Sequence, residues 1–116
     1  MSEEFLRVAT KEVTDDISEI GNLIKSCTND DDIQKNASEI GKRLHKLKGL
    51  APMMGQEEVG EIASLLDRIF KSLAVGTDVP GICDTVKESH QFMQNAMNGV
   101  ATDFASLKSK ITQKHG

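Results

Sequence analysis

The residues best placed for chemistry in this sequence are a histidine, a lysine and two glycines at helical spacing. Within the stretch Gly41–Gly55, His45 precedes Lys48 by three residues, and Gly41 and Gly49 each lie four residues from the histidine. Neutral imidazole is a nucleophile near pH 7, and a hydrogen bond to one ring nitrogen decides which nitrogen reacts. A lysine one helical turn away is able to place its ammonium group beside a phosphate on the imidazole. The spacing therefore predicts a nucleophilic histidine with a cation beside it.

The segment that carries these residues has the most regular helical pattern in the chain. Its apolar residues recur at steps of three and four, at Ile33, Ala37, Ile40, Leu44, Leu47, Ala51 and Met54. With this stripe facing the core, His45 lies about 120° round the helix and is exposed, and Gly41 and Gly49 lie above and below it. Each glycine inside a helix costs about 1 kcal/mol relative to alanine, so we expect the pair to keep the imidazole accessible to a partner.

Basic residues surround His45 in a protein that is acidic as a whole. Lys42, Arg43 and Lys46 are close in sequence, and no acidic residue occurs between Glu39 and Glu57. These residues predict a small positive surface around the histidine. The formal net charge of −4 is opposite to the broad basic field that nucleic-acid binding usually needs, so no nucleic-acid partner is expected.

Composition and periodicity predict an all-α protein. The 116 residues include two prolines and no tryptophan or tyrosine, and apolar residues recur every three or four positions. The predicted helices span about 3–27, 32–54, 56–75 and 79–113, in a single domain covering 1–116. The link near Gly55 is short, so the second and third helices should be antiparallel neighbours. We expect an antiparallel four-helix bundle with up-down-up-down connections.

The last predicted helix is long enough to extend past such a bundle. A continuous helix there would be about 45 Å long at a rise of about 1.5 Å per residue, and Asn98-Gly99 either bends or breaks it. The overhanging end would form a dimer, pack back on the first helix or fray. A monomer is expected, with a dimer through the last helix as the alternative.

Asp67, on the predicted third helix, is the candidate orienting partner of the imidazole. It follows the core residue Leu66, so it lies at the edge of that helix's buried face. As an acceptor for the Nδ1–H of His45 it would leave Nε2 free to attack. The alternative is a solvated surface carboxylate, and both interpretations stay open at this point.

Residues beyond His45 on the same helix are candidates for a partner interface. Leu50 and Met53 lie off the buried stripe, and with Lys42, Lys46 and Pro52 they form the expected contact surface. Leu50 either contacts a partner or covers the first helix. Pro52 removes the helical hydrogen bond to the Lys48 carbonyl and predicts a kink just past the site.

The two cysteines and the other two histidines have no neighbours in the sequence that would form a site with them. Cys27 and Cys83 have no metal-ligand spacing and are expected to be reduced thiols in or near the core. His90 is expected to be structural or solvated, and His115 lies near an end expected to fray. No metal site, nucleotide-binding loop or apolar run of membrane-spanning length is present in the sequence, and the acidic start is unlike a secretory signal. A cytoplasmic protein without a membrane partner is expected.

The run His45-Lys46-Leu47-Lys48-Gly49-Leu50-Ala51, with Gly55 ten residues after the histidine, resembles the signature of histidine-containing phosphotransfer domains. That signature is a histidine followed by lysine, glycine and glycine at three, four and ten residues, and all three offsets match. The resemblance covers most of the chain. The C-terminal part is the part it covers least.

The resemblance implies a four-helix bundle that carries a phosphoryl group between aspartates of receiver domains. It also implies that His45 is the phospho-acceptor, that Lys48 stabilises the phosphate and that Gly49 leaves room for the receiver. At the position of Asp67 the family commonly has glutamine, or glutamate in the related chemotaxis-kinase domains, so this chain has a shorter side chain there.

Two functions follow as hypotheses. In the first, the chain is a phosphoryl carrier and not an enzyme: His45 accepts the group from a receiver aspartate or a sensor histidine kinase and passes it to another receiver aspartate. It needs no cofactor of its own, and the partner receiver would hold the Mg²⁺. In the second, the chain is a helical interaction module that binds receivers or kinases without transfer, so that its binding would survive His45→Gln.

Overall fold

The regular structure of residues 2–116, which the computed structural model describes, is entirely helical. This part of the chain holds no strand, and its helices are α1 (Glu3–Ile24), α2 (Asp30–Lys35), α3 (Ala37–Met53), α4 (Glu57–Ala74), α5 (Ile82–Met97) and α6 (Phe104–His115). The predicted all-α class is confirmed. None of these helices is long and apolar enough to cross a membrane.

The helix expected at 32–54 is divided at Asn36. The backbone of this residue leaves the helical region at φ −107° and ψ 9°, and its side-chain amide donates to the Asp32 carbonyl at 2.9 Å. In a continuous helix the backbone N–H of Asn36 would donate to the Asp32 carbonyl. Here it donates instead to the Ile33 carbonyl, at 3.0 Å. Competition between the asparagine side chain and the backbone therefore separates the short α2 from α3.

The helix expected at 79–113 is broken at Asn98-Gly99, one of the two predicted alternatives. Gly99 has φ 72°, and the N–H of Val100 donates to the Asn95 carbonyl at 2.9 Å, which closes the end of α5. Asp103 then caps α6 by accepting from the Ser106 N–H at 3.1 Å.

The C-terminal helix α6 packs mainly against α4 and α5, whereas one of the expectations was that it packs back on the first helix. Ion pairs join Lys108 to Glu61 of α4 and Lys110 to Glu88 of α5. The first helix also ends earlier than expected, at Ile24 instead of residue 27.

The two helices that form the candidate site, α3 and α4, are antiparallel and in extensive contact. Contacts pair Gly41 with Phe70, His45 with Asp67 and Pro52 with Gly60, so residue numbers rise on one helix as they fall on the other. The turn between them uses Gly55, at φ 89°, to close the end of α3. Pro52 lies in the last turn of α3, so the hydrogen bond to the Lys48 carbonyl that it cannot donate is missing only at the end of the helix.

One hydrophobic core receives side chains from all six helices. The apolar stripe predicted for the second helix is buried from Ile33 to Ala51, and Met54 at its end is half-buried. Burial of this stripe fixes the rotation of α3, so the opposite edge of the helix, with His45, is turned outward.

Candidate functional site

His45 lies in the middle of α3 with its side chain 63% exposed. The neighbouring Leu44 and Leu47 are fully buried and hold the helix in place beneath it. The histidine is therefore accessible to a partner while its backbone is fixed by the core.

The two glycines above and below His45 are not required by packing within the chain. A Cβ atom at Gly49 would meet no described residue within 4 Å, and one at Gly41 would make an ordinary 3.7 Å contact with Phe70. Both residues are in regular helix, where alanine is more stable. Their small size matters only for something that approaches from outside, which supports the predicted role of clearing access to His45.

Asp67 of α4 lies behind the imidazole and is almost completely buried. Its Oδ1 is 3.4 Å from Nδ1 of His45, and the residue is 3% exposed. The carboxylate is therefore not a solvated surface group. This contact places an acceptor at Nδ1 and leaves Nε2 on the open side of the ring.

Two ammonium groups share the other oxygen of the Asp67 carboxylate. Lys48 of α3 places Nζ 3.5 Å from Oδ2, and Lys71 of α4 places Nζ 3.2 Å from the same atom. Sequence reasoning missed Lys71. The signal was present, since Lys71 follows Asp67 by four residues and so lies on the same helix face.

The charges around Asp67 keep it ionised although it is buried. Burial by itself raises the pKa of the carboxyl, but the contacts with Lys71 and His45 outweigh it and lower the pKa below its usual value. A fixed negative charge therefore stands against one side of the imidazole at neutral pH.

An open, mainly apolar groove of about 420 Å³ runs beside the imidazole between α3 and α4. Gly41 and Lys42 line it on α3, and Phe70 and Lys71 line it on α4. The site thus combines a nucleophilic side chain, a buried counter-charge and flexible cations next to a surface that a partner can contact. It holds no group of metal-ligating side chains within residues 2–116.

The chain matches the family model described as the Hpt domain over residues 4–103. It belongs to the Hpt domain family. Hpt domains are phosphocarrier modules of two-component signalling, so the family points to histidine phosphotransfer. The match runs from the second residue of α1 through α5 and ends at Asp103, the capping residue of α6. The chain matches no curated protein and no solved structure.

The basic surface expected around the histidine of this Hpt domain is largely neutralised. Arg43 and Lys46 turn towards α1, where Asp16 Oδ1 lies 3.1 Å from Arg43 and 3.3 Å from Lys46. A hydrogen bond to Glu12, with Asp16 nearby, raises the pKa of Lys46. The expected small positive surface around His45 is therefore wrong in the part that Arg43 and Lys46 were to supply, because α1 supplies acids that are distant in sequence.

The other expected interface residues differ in exposure. Met53 is 52% exposed and Pro52 is exposed, whereas Leu50 is half-buried and packs against the core. Lys42 is exposed, with Glu39 at 3.9 Å. The packing of Leu50 is against the core, so it favours a role within the chain over the alternative of partner contact.

The remaining histidines and the cysteines have structural surroundings. His90 is half-buried with Nε2 3.0 Å from the Ile17 carbonyl, and burial lowers its pKa. His115 does not lie in a frayed end, because its Nε2 is 2.7 Å from Thr85 Oγ1. Cys27 and Cys83 are buried free thiols.

Proposed function

We propose that this Hpt domain carries a phosphoryl group on Nε2 of His45 within a two-component phosphorelay. The observation that carries the proposal is the buried Asp67 carboxylate 3.4 Å from Nδ1, on a histidine whose side chain is 63% exposed. An acceptor at Nδ1 holds the proton there and leaves the lone pair on Nε2. Nε2 is then the nitrogen that a phosphorylated partner can reach.

The transfer step is a displacement at phosphorus. The lone pair of Nε2 forms the N–P bond while the bond from phosphorus to the receiver's aspartyl oxygen breaks, and that aspartate leaves as a carboxylate. The ring keeps its Nδ1 proton and becomes positively charged, next to the negative charge of Asp67. The reverse step returns the phosphoryl group to an aspartate of another receiver.

The remaining site residues have supporting roles in this proposal. Lys48 supplies positive charge next to the phosphoryl group, and Gly41 and Gly49 let the partner's active site reach His45. The partners are receiver domains and a sensor histidine kinase, which contact a surface that includes Lys42, Pro52 and Met53. Mg²⁺ would be bound by the receiver, where it supplies electrostatic stabilisation to the transferring group.

We place this monomeric carrier in the cytoplasm, as expected from the sequence, together with the kinase and receivers it would serve. The alternative is a module that docks on the same partners without transfer. The groove beside His45 would serve either function, so only the chemistry separates them.

The direct experiment uses phosphorylated receivers of the source organism as donors. We expect the parent chain and His115→Gln to gain an acid-labile phosphoryl group, and His45→Gln to gain none while still binding the receiver. Phosphorylation of the His45→Gln chain would show that the acceptor is a residue other than His45. A parent chain that binds receivers but takes no phosphoryl group from any of them would favour the non-transferring module.

A further inference from the structure

The site contains a second lysine, Lys71, in addition to the Lys48 that the sequence predicted beside His45. Asp67 Oδ2 is contacted by Lys48 at 3.5 Å and by Lys71 at 3.2 Å, so the lysine on α4 is the nearer of the two. The side chain of Lys71 is 64% exposed and that of Lys48 is 43% exposed, while that of Asp67 is 4% exposed. Both ammonium groups therefore have access to the solvent side of the site.

The two lysines lie on opposite sides of the imidazole along the bundle axis. Lys48 is one turn beyond His45 towards the C-terminal end of α3, and Lys71 is one turn beyond Asp67 towards the C-terminal end of α4. Because the two helices are antiparallel, these directions are opposite. Lys71 also lines the groove together with His45.

Charge balance gives the second lysine a role once the histidine is phosphorylated. In the unphosphorylated site, the Asp67 carboxylate faces two ammonium groups and the imidazole of His45. Phosphorylation adds close to two negative charges on the phosphoryl group and one positive charge on the ring. Asp67 needs fewer cations when the ring itself is positive, so an ammonium group becomes available to the phosphoryl oxygens. Lysine suits this exchange, because its charge is at the end of a flexible four-carbon stem.

We propose that Lys71 is a second phosphate-stabilising residue, so that the phosphoryl group on His45 lies between Lys48 of α3 and Lys71 of α4. This inference rests on the proposed function of His45. In the resting protein Lys71 pairs with Asp67, and on phosphorylation it pairs with the phosphoryl oxygens. Lys71 thereby favours the phosphorylated form of the carrier.

The test uses the full chain phosphorylated by phosphoramidate, in which the donor's P–N bond breaks, the N–P bond to Nε2 forms and ammonia leaves. The second ionisation of the phosphoryl group is then followed by ³¹P NMR as a function of pH. The charged groups facing it are the positive ring of His45 itself, Lys42 and Lys48 from α3, and Asp67 and Lys71 from α4.

Removal of a neighbouring cation disfavours the doubly negative form of the phosphoryl group, which the second ionisation produces. Lys71→Met should therefore raise the pKa of the phosphoryl group by about 0.2 to 0.7 pH units, the size expected from an exposed ion pair. Lys71→Arg should restore most of the parent value.

Arg68→Met is the matched control, because Arg68 is an exposed cation on the same helix that lines a groove with α6 instead of the groove beside His45. It should leave the pKa unchanged. Since Lys71 is largely exposed, its variants should fold, and their melting temperatures check this.

A Lys71→Met chain that takes up phosphate and titrates like the parent would overturn this inference and leave the proposed function standing. The same holds if Arg68→Met raises the pKa as much as Lys71→Met does. A parent chain in which His45 takes no phosphoryl group from phosphoramidate or from any receiver would overturn both.

Discussion

In the proposed mechanism, the position of a single proton on His45 decides which ring nitrogen reacts. Nδ1 faces a carboxylate that is buried and stays ionised, so the tautomer with the proton on Nδ1 is stabilised. Asp67 has a shorter side chain than the glutamine or glutamate common in the resembling family. Its Oδ1 nevertheless lies 3.4 Å from Nδ1, because α3 and α4 are antiparallel helices in extensive contact.

Loss of Asp67 should therefore slow phosphotransfer without unfolding the protein. We expect Asp67→Ala to lower the rate of transfer from a phosphorylated receiver about ten- to hundredfold, the effect of a misplaced reacting group. Asp67→Asn, which keeps an acceptor oxygen but no charge, should fall between the parent and Asp67→Ala.

Rapid-quench kinetics measure the rates, and ¹⁵N NMR measures the tautomer of His45. A purely structural role would leave the tautomer populations unchanged in both variants. Equal rates in the parent and in Asp67→Ala would remove Asp67 from the mechanism.

At the scale of helices, the carboxylate of Asp30 on α2 binds the backbone at the start of α5. Asp30 accepts hydrogen bonds from the backbone N–H groups of Gly81 and Cys83, both at 2.9 Å. These bonds lower the pKa of Asp30 below its usual value. Asp30, on the short helix α2, thus caps the N-terminus of α5, a helix that is distant in sequence.

Replacement of Asp30 should destabilise the fold in a pH-dependent way. We expect Asp30→Ala to lower the free energy of unfolding at pH 7 by about 1 to 2 kcal/mol, the range for a lost cap. The folded-state pKa is depressed, so the contribution of the ionised carboxylate is fully present above the unfolded-state pKa. It is lost as the pH falls through the lower folded-state value.

Urea unfolding at pH 7 and below the usual carboxyl pKa would measure this change. Asp31→Ala is the matched control, because Asp31 is the exposed neighbour in the same turn, and its effect should stay within about 0.5 kcal/mol. Equal unfolding free energies for the two variants would contradict the capping role.

The periodic pattern of α3 was sufficient to predict its buried face and the exposure of His45, because both depend on local helical geometry. The break at Asn98-Gly99 was also visible, since glycine supports the backbone that ends α5. The break at Asn36 was not visible, because an asparagine is compatible with a helix until its side chain takes the carbonyl of Asp32.

Contacts between helices were harder to predict. The ion pairs of Arg43 and Lys46 with Asp16 depend on how α1 packs, and the contact of Lys71 with Asp67 became relevant only once α4 was placed beside His45.

At the scale of the whole molecule, the matched Hpt region and the C-terminal helix are distinct parts of one packed unit. The region 4–103 carries the helices of the site, and α6 adds Leu107 and Ile111 to the core against α4 and α5. The groove beside His45, between α3 and α4, remains open. Within residues 2–116, His45 is thus exposed on a pair of packed helices beside an open groove, which is the geometry that the proposed carrier uses.

The central claim is that the phosphoryl group is carried on Nε2 of His45 while Nδ1 keeps its proton. The most direct measurement is long-range ¹H–¹⁵N NMR of the ¹⁵N-labelled chain after phosphorylation by a receiver, which identifies the substituted nitrogen. We predict a phosphoryl group on Nε2 of His45 and a protonated Nδ1. A phosphoryl group on Nδ1 of His45, or on His90 or His115, would contradict the account.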